Sequence, residues 1–269
     1  MHEIIIAFIL GIVEGLTEFA PVSSTGHLIL TGHLLGFEES RRSSTFEVFI
    51  QLGSILAVVV VFWNRLRGLF GLGPERVNSK SGSGLNLIHV LLGILPFMVL
   101  GLLFHGYIKD VLFSGRTVVI GLIAGAVLMI AAELLGRNQK TSLDLDQISY
   151  KQALVMGLVQ CLALWPGFSR SGSTISAGLL SGLNHKTASE FSFMLAVPIM
   201  VAATGKDIWE NINYLSVSDI PMFLTGFVTA FLVALFAIRF FLRLISRVKL
   251  IPFALYRLAL AFVFWMFLL

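Results

Sequence analysis

Five almost unbroken apolar runs limit what this chain can become: residues 46–63, 85–104, 117–135, 220–238 and 251–269. Each meets or approaches the ~20 mostly apolar residues that a helix needs to cross a bilayer, within a working range of roughly 17–25. A sixth run, 191–205, is shorter and can draw on its flanks. Soluble domains carry about a quarter charged residues; here 13% of 269 are charged, and 23 phenylalanines exceed what one soluble core could hide. The sequence therefore predicts an all-α integral membrane protein with a single membrane domain over 1–269. The single cysteine, Cys161, has no partner for an internal disulfide. Glu3 precedes the first apolar run and no lysine or arginine does, which argues against a cleaved signal peptide.

Four more apolar pieces, 4–19, 27–35, 151–165 and 175–183, are too short to cross alone. They form two pairs, each joined by a polar Ser/Gly loop, at 20–26 and 166–174. Paired short segments around a polar loop predict re-entrant helical hairpins, which are tolerated at membrane depth when buried in protein or lining a watery cavity. Two broken full crossings are the plainer arrangement. The order becomes hairpin and three transmembrane helices, then the same again. "GIVEGLTEFAPVSSTG" (11–26) aligns without a gap on "GLVQCLALWPGFSRSG" (157–172), pairing Gly11 with Gly157, Glu14 with Gln160, Ser23 with Ser169 and Ser24 with Arg170. "FEVFIQLG" (46–53) then matches "SEFSFMLA" (189–196), pairing Glu47 with Glu190. Three crossings per half invert the second half relative to the first, so the expectation is an inverted-topology repeat of about 1–136 and about 150–269.

This topology sends twelve Lys and Arg residues to one side, from Arg65 and Arg67 through Lys151 and Lys186 to Arg247 and Lys249. Only Arg41, Arg42, Lys109, Arg116 and Lys206 fall on the other. The basic side faces the cytoplasm, so both termini and the first hairpin face outward. The net charge of +4 reports orientation in a lipid bilayer and no nucleic-acid partner. Arg170 and Arg257 alone are left within membrane segments.

Glu14 and Glu18, at i and i+4, project from one helical face. Intramembrane ionisable residues are costly and usually functional. A carboxylate pair one turn apart can hold a divalent cation, or one member can act as base while the other orients it; the plain alternative is a membrane-edge residue that sees water. "PVSSTGH" (21–27) and "PGFSRSGST" (166–174) are one device built twice. Small hydroxyl residues and glycine precede a helix whose free N–H groups and dipole favour an anion. Ser24, Thr25 and Gly26 in the first loop, and Ser169, Ser171, Ser173 and Thr174 in the second, are candidate phosphate contacts. Arg170 adds a planar fork matched to phosphate oxygens. His27 can move a proton or attack phosphorus. Together these fit phosphoryl chemistry, and the apolar surroundings favour a phosphate carried on a lipid.

"EGLTEFAPVSSTGH" and "PGFSRSGST" resemble the ExxxE and PGxSRSxxT motifs of the bacterial undecaprenyl-diphosphate phosphatase family. The similarity runs from the first segment to the last, through "FEVFIQLGSILAVVVVFW" (46–63) and "DIPMF" (219–223). It implies removal of one phosphate from undecaprenyl diphosphate, a lipid carrier of peptidoglycan and cell wall biogenesis, with bacitracin resistance. It further implies Glu14 and Glu18 at the metal or general-base position, Ser24 and His27 as catalytic residues, and Arg170 on the phosphate. The cofactor would be a divalent metal cation of the Mg or Ca type. The location would be the bacterial inner membrane, with the active site opening to the periplasm and room for a homodimer. Ala20 departs from the larger aliphatic residue common before the proline, which touches packing and not chemistry.

A transporter or flippase for a polyprenyl phosphate lipid is the reading from a different class, because an inverted repeat suggests alternating access. It would need no candidate nucleophile. Elsewhere, Asn86 and His89 begin a crossing and read as structural. Arg257 lies within two turns of its helix's cytoplasmic end, which predicts snorkelling. Trp63, Trp209 and Trp265 suit the membrane interface.

Overall fold

Where lipid offers no hydrogen-bond partners, a chain must satisfy its backbone internally, and this one does so with helices. The computed structural model describes residues 2–37, 40–72, 84–104, 106, 108–112, 114–136 and 144–268; most of the 71–84 connection lies outside them. No strand occurs among the described residues. The first half holds α1 (His2–Thr17), α2 (Ser24–Leu34), α3 (Arg41–Val61), α4 (Trp63–Leu69), α5 (Leu87–Leu103) and α6 (Gly115–Leu135). The second holds α7 (Tyr150–Gln160), α8 (Arg170–Leu180), α9 (His185–Asn211), α10 (Ile220–Val248) and α11 (Ile251–Leu268).

Side-chain caps set most of the starts. Ser40 with Ser43, Asn86 with His89, Ser114 with Thr117, and Ser149 with Gln152 form capping boxes that satisfy otherwise orphaned N–H groups. This explains Asn86 and His89 as a helix start. α3, α6, α9 and α10 are long and apolar enough to cross a membrane. α9 outgrows the 191–205 run because Asn184 caps it early and the helix continues through Pro198 to Asn211. α5 and α11, expected as crossings, have 17 and 18 residues. At 1.5 Å per residue they span about 26 and 27 Å, slightly less than the ~30 Å hydrocarbon core. The four pieces predicted to be short are short: α1 has 16 residues, and α2, α7 and α8 have 11 each.

Each short helix that opens a half packs on a helix of the other half. α1 lies along α10, and α7 along α5. The aligned glycines make both contacts close: a Cβ on Gly11 would sit 2.7 Å from the Gly226 carbonyl oxygen, and one on Gly157 would sit 2.5 Å from that of Leu92. α11 packs on α6, and α3 is wedged between α9 and α10. Charged pairs close the two ends of the bundle. Arg42 donates to Glu3 (2.8 Å) and Asp219 (2.7 Å) at one end. At the other, Arg65 reaches Asp146 (2.8 Å), and half-buried Glu133 accepts from His185 (2.8 Å) and from the Leu250 amide (3.1 Å). Large apolar side chains face outward along the bundle, including Leu103, Phe236 and Phe240, and Trp63, Trp209 and Trp265 are all exposed. Such a surface suits lipid far better than water.

Candidate active site

The two Ser/Gly loops meet in the middle of the bundle, and their geometry is nearly the same. Ser23 and Ser169 stand just before α2 and α8 at φ 71° and 72°, a left-handed conformation that disfavours any residue with a Cβ. Each turns its hydroxyl onto the helix it precedes: Ser23 Oγ accepts from the Gly26 amide (3.4 Å) and Ser169 Oγ from the Gly172 amide (3.1 Å). The first amides of both helices have no partner within their helix and carry the positive end of its dipole. Two anion-attracting helix starts thus face one space.

Glu18, buried beyond the end of α1, ties the loops together. Its Oε2 accepts from the Ser24 hydroxyl at 2.7 Å, and its Oε1 from Arg170 Nη2 at 3.0 Å. Arg170 also donates through Nη1 to the Ser192 carbonyl of α9 at 3.0 Å, while its buried Nε has no partner. A second link joins the loops directly, since the Ser171 hydroxyl donates to the Ala20 carbonyl at 3.1 Å. Ser24 therefore sits against a carboxylate that can take its proton, and that carboxylate is held by a guanidinium one step further on.

Glu18, Ser24 and Arg170 line a cavity of about 160 Å³. Ser23, Thr25, Ser169 and Ser171 share its polar wall, while Phe97, Ile199 and Met200 form an apolar one. Sites that engulf a drug-sized ligand run to roughly 300–1,000 Å³, so this cavity suits a head group whose tail stays outside.

The remaining candidates lie around the cavity and not on it. Ser173 and Thr174 both turn their hydroxyls to the Arg170 carbonyl, at 2.9 and 2.8 Å, and Thr174 also bonds the Ser192 hydroxyl. Gly26 serves the Ser23 cap. His27 faces away: Nδ1 is 2.8 Å from the Ser23 carbonyl and Nε2 is 2.7 Å from the Tyr256 hydroxyl. A carbonyl can only accept, so Nδ1 carries the proton and, in the neutral ring, Nε2 accepts from Tyr256.

Glu14 lies one turn below Glu18, fully buried, with neither carboxylate oxygen hydrogen-bonded. The Ser54 hydroxyl lies beside it without meeting hydrogen-bond geometry. A buried carboxylate with no partner calls for a counter-charge or a proton. Hard oxygen donors of this kind fit Mg²⁺ or Ca²⁺, and each Glu18 oxygen, although engaged, keeps further lone-pair capacity. No group of three His, Cys, Asp or Glu occurs among the described residues, so phosphate oxygens and water would have to complete such a shell.

Two features escaped the sequence reading. Gln51 of α3 lines the cavity; the signal was the polar stripe Glu47, Gln51 and Ser54 at helical spacing within an apolar run. Arg257 does not snorkel. It is fully buried, and Nη2 donates inward to the carbonyls of Gly167 (2.8 Å) and Gly121 (3.1 Å). The second loop offers closer acceptors than the membrane surface does.

Residues 7–263 match the family model described as "Bacitracin resistance protein BacA". The chain is 56% identical over 269 residues, the whole of both chains, to a protein of Bacillus thuringiensis (strain Al Hakam) named Undecaprenyl-diphosphatase 1. It is likewise 56% identical, with full coverage of both, to the protein of that name from Bacillus anthracis.

Proposed function

Because the chain belongs to the bacitracin resistance protein BacA family, we propose that it hydrolyses undecaprenyl diphosphate to undecaprenyl phosphate and inorganic phosphate. It is a membrane phosphatase of lipid-carrier recycling. The observation that carries the chemistry is the line Ser24–Glu18–Arg170, a hydroxyl 2.7 Å from a carboxylate that is 3.0 Å from a guanidinium. A pure flippase would have no use for a nucleophile poised on a base, which favours the enzyme over the transporter reading.

The terminal phosphoryl group sits between the two helix starts, held by amide N–H groups, by Thr25, Ser169 and Ser171, and by Arg170. Gly26, Ser173 and Thr174 support this cradle by fixing the loops. Ser24 Oγ attacks the terminal phosphorus as Glu18 takes its proton. The bond to the bridging oxygen breaks, and the lipid monophosphate leaves with the electron pair. Glu18 gives that proton up to the departing phosphate; water then cleaves the phosphoseryl ester as Glu18 takes a proton from it and passes that proton to Ser24 Oγ. Arg170 and the amides are preorganised where negative charge grows, and stabilisation of this kind usually lowers the barrier more than any other single effect. Glu14, with Glu18, would hold a divalent cation of the Mg or Ca type, which would supply charge neutralisation on the phosphate oxygens when bound. His27 acts from behind the first loop.

The matched turns at Ser23 and Ser169, and the like packing of α1 on α10 and α7 on α5, support an inverted repeat with two re-entrant hairpins. On that topology the cavity opens to the periplasmic face of the bacterial inner membrane. The direct test is Ser24→Ala in detergent with a prenyl diphosphate. Phosphate release should fall by about 10³-fold or more, the scale seen when an enzyme loses its nucleophile. Release within twofold of wild type by folded Ser24→Ala would remove Ser24 from the reaction.

A further inference from the structure

α11 carries two consecutive residues, Tyr256 and Arg257, that reach different loops of the site. Neighbouring residues on a helix point about 100° apart, so one helix can touch structures on two sides. Arg257 is among the largest fully buried side chains. Its bonds run to the Gly121 and Gly167 carbonyls and to Met129 sulfur (3.6 Å), while Nε has no partner. Burying a cation against carbonyls alone is expensive, and a leucine would fill a helix interface at far lower cost. The surroundings are shaped to receive it. A Cβ on Gly125 would lie 2.2 Å from Nη2, and one on Gly172 would lie 3.0 Å from Nη1. The guanidinium therefore touches the second loop both before and after Arg170.

Tyr256 serves the first loop. Its hydroxyl donates to His27 Nε2 at 2.7 Å, and the two rings stack with centroids 5.6 Å apart and 7° between planes. Through Nδ1, His27 then holds the carbonyl of Ser23, the strained residue directly before Ser24. A chain of contacts runs from Tyr256 to the backbone that presents the nucleophile.

We infer that Tyr256 and Arg257 are positioning residues that clamp the two loops to one helix, so that Ser24 and Arg170 stay on opposite oxygens of Glu18. This rests on the phosphatase site proposed above and adds how its two halves are kept aligned. Neither residue touches the substrate; each acts through a loop. Their loss should therefore lower turnover and leave substrate affinity nearly unchanged.

The test uses purified full-length protein in detergent and a prenyl diphosphate, with Ser24→Ala run in parallel. Tyr256→Phe keeps the ring stack and loses one hydroxyl, so it is expected to fold. Its kcat should drop about 10-fold with KM within about twofold, since sub-ångström misplacement of a reacting group carries losses of this order. Arg257→Lys keeps the charge but cannot reach both carbonyls, and should lose at least as much. In a His27→Gln background, adding Tyr256→Phe should cost nothing further, because Tyr256 acts through His27. Unchanged kcat in Tyr256→Phe, a rise in KM in place of the fall in kcat, or full additivity with His27→Gln would each overturn the inference. If Arg257→Lys does not fold, Tyr256→Phe decides alone. An inactive Ser24→Ala beside a normal Tyr256→Phe defeats the clamp and leaves the proposed site standing. An active Ser24→Ala defeats both.

Discussion

Glu14→Gln separates a structural carboxylate from a cation ligand, because the two roles move thermal stability in opposite directions. Glu14 is fully buried, and neither oxygen has a hydrogen-bond partner. An unpaired buried charge would cost several kcal/mol even after relaxation, so without a cation the carboxyl either bears that cost or takes up a proton. Glutamine removes the charge at equal size and leaves an unpaired amide, which costs about 1–3 kcal/mol. With chelator present, the variant should therefore melt at or above the wild-type temperature. With a divalent cation the order reverses. A ligand at a hundred times its Kd adds about 2.7 kcal/mol, or roughly 5–10 °C at the 2–4 °C per kcal/mol typical of larger domains. Wild-type protein should gain this with Mg²⁺ or Ca²⁺, and Glu14→Gln should not. Tryptophan-fluorescence melts in detergent, in chelator and in each cation, read both arms without recourse to activity. An equal cation-dependent rise in both proteins would refute the assignment of Glu14.

Three further outcomes follow from the same geometry. Arg170→Lys should lose about 2–4 kcal/mol of transition-state stabilisation, the scale of one preorganised donor, because an ammonium cannot hold Glu18, Ser192 and phosphate together; kcat/KM for phosphate release checks it. Gly121→Ala should unseat the second loop, since its Cβ would lie 2.3 Å from the Pro166 carbonyl oxygen; a lower melting temperature with lost activity is the expected pair. In a Cys161→Ser background, Arg41→Cys should react with an impermeant thiol reagent on intact spheroplasts and Lys151→Cys should not. The reverse pattern would move the cavity mouth to the cytoplasm.

Helix placement was legible because apolar length and capping residues are local properties. The long runs became α3, α6 and α10, and the four short pieces became α1, α2, α7 and α8. The extent of α9 was not, because Asn184 starts the helix in polar sequence where hydropathy gives no warning. The loops at Ser23 and Ser169 were legible as a matched pair from their residue types, but their left-handed turns have no mark in the residue string. That Glu18, Ser24 and Arg170 meet was a matter of tertiary packing, which brings residues from opposite halves within 3.0 Å. The inward turn of Arg257 was invisible for a different reason. Its acceptors are backbone carbonyls of Gly121 and Gly167, and a carbonyl has no signature in sequence.

The seating of α1 on α10 has a consequence for how the molecule is made. Gly11 and Gly15 meet their contacts at Gly226 and Ala230, which leave the ribosome long after α1 does. At about 5–20 residues per second, α1 is tens of seconds old before its partner exists. For that interval Glu14 has only α2 and α3 to shield it, and a half-covered carboxylate is poorly tolerated in lipid. α1 therefore cannot reach its packed position until α10 has been made. A chain cut short before Ile220 should leave its opening segment unplaced, however sound that segment's own sequence.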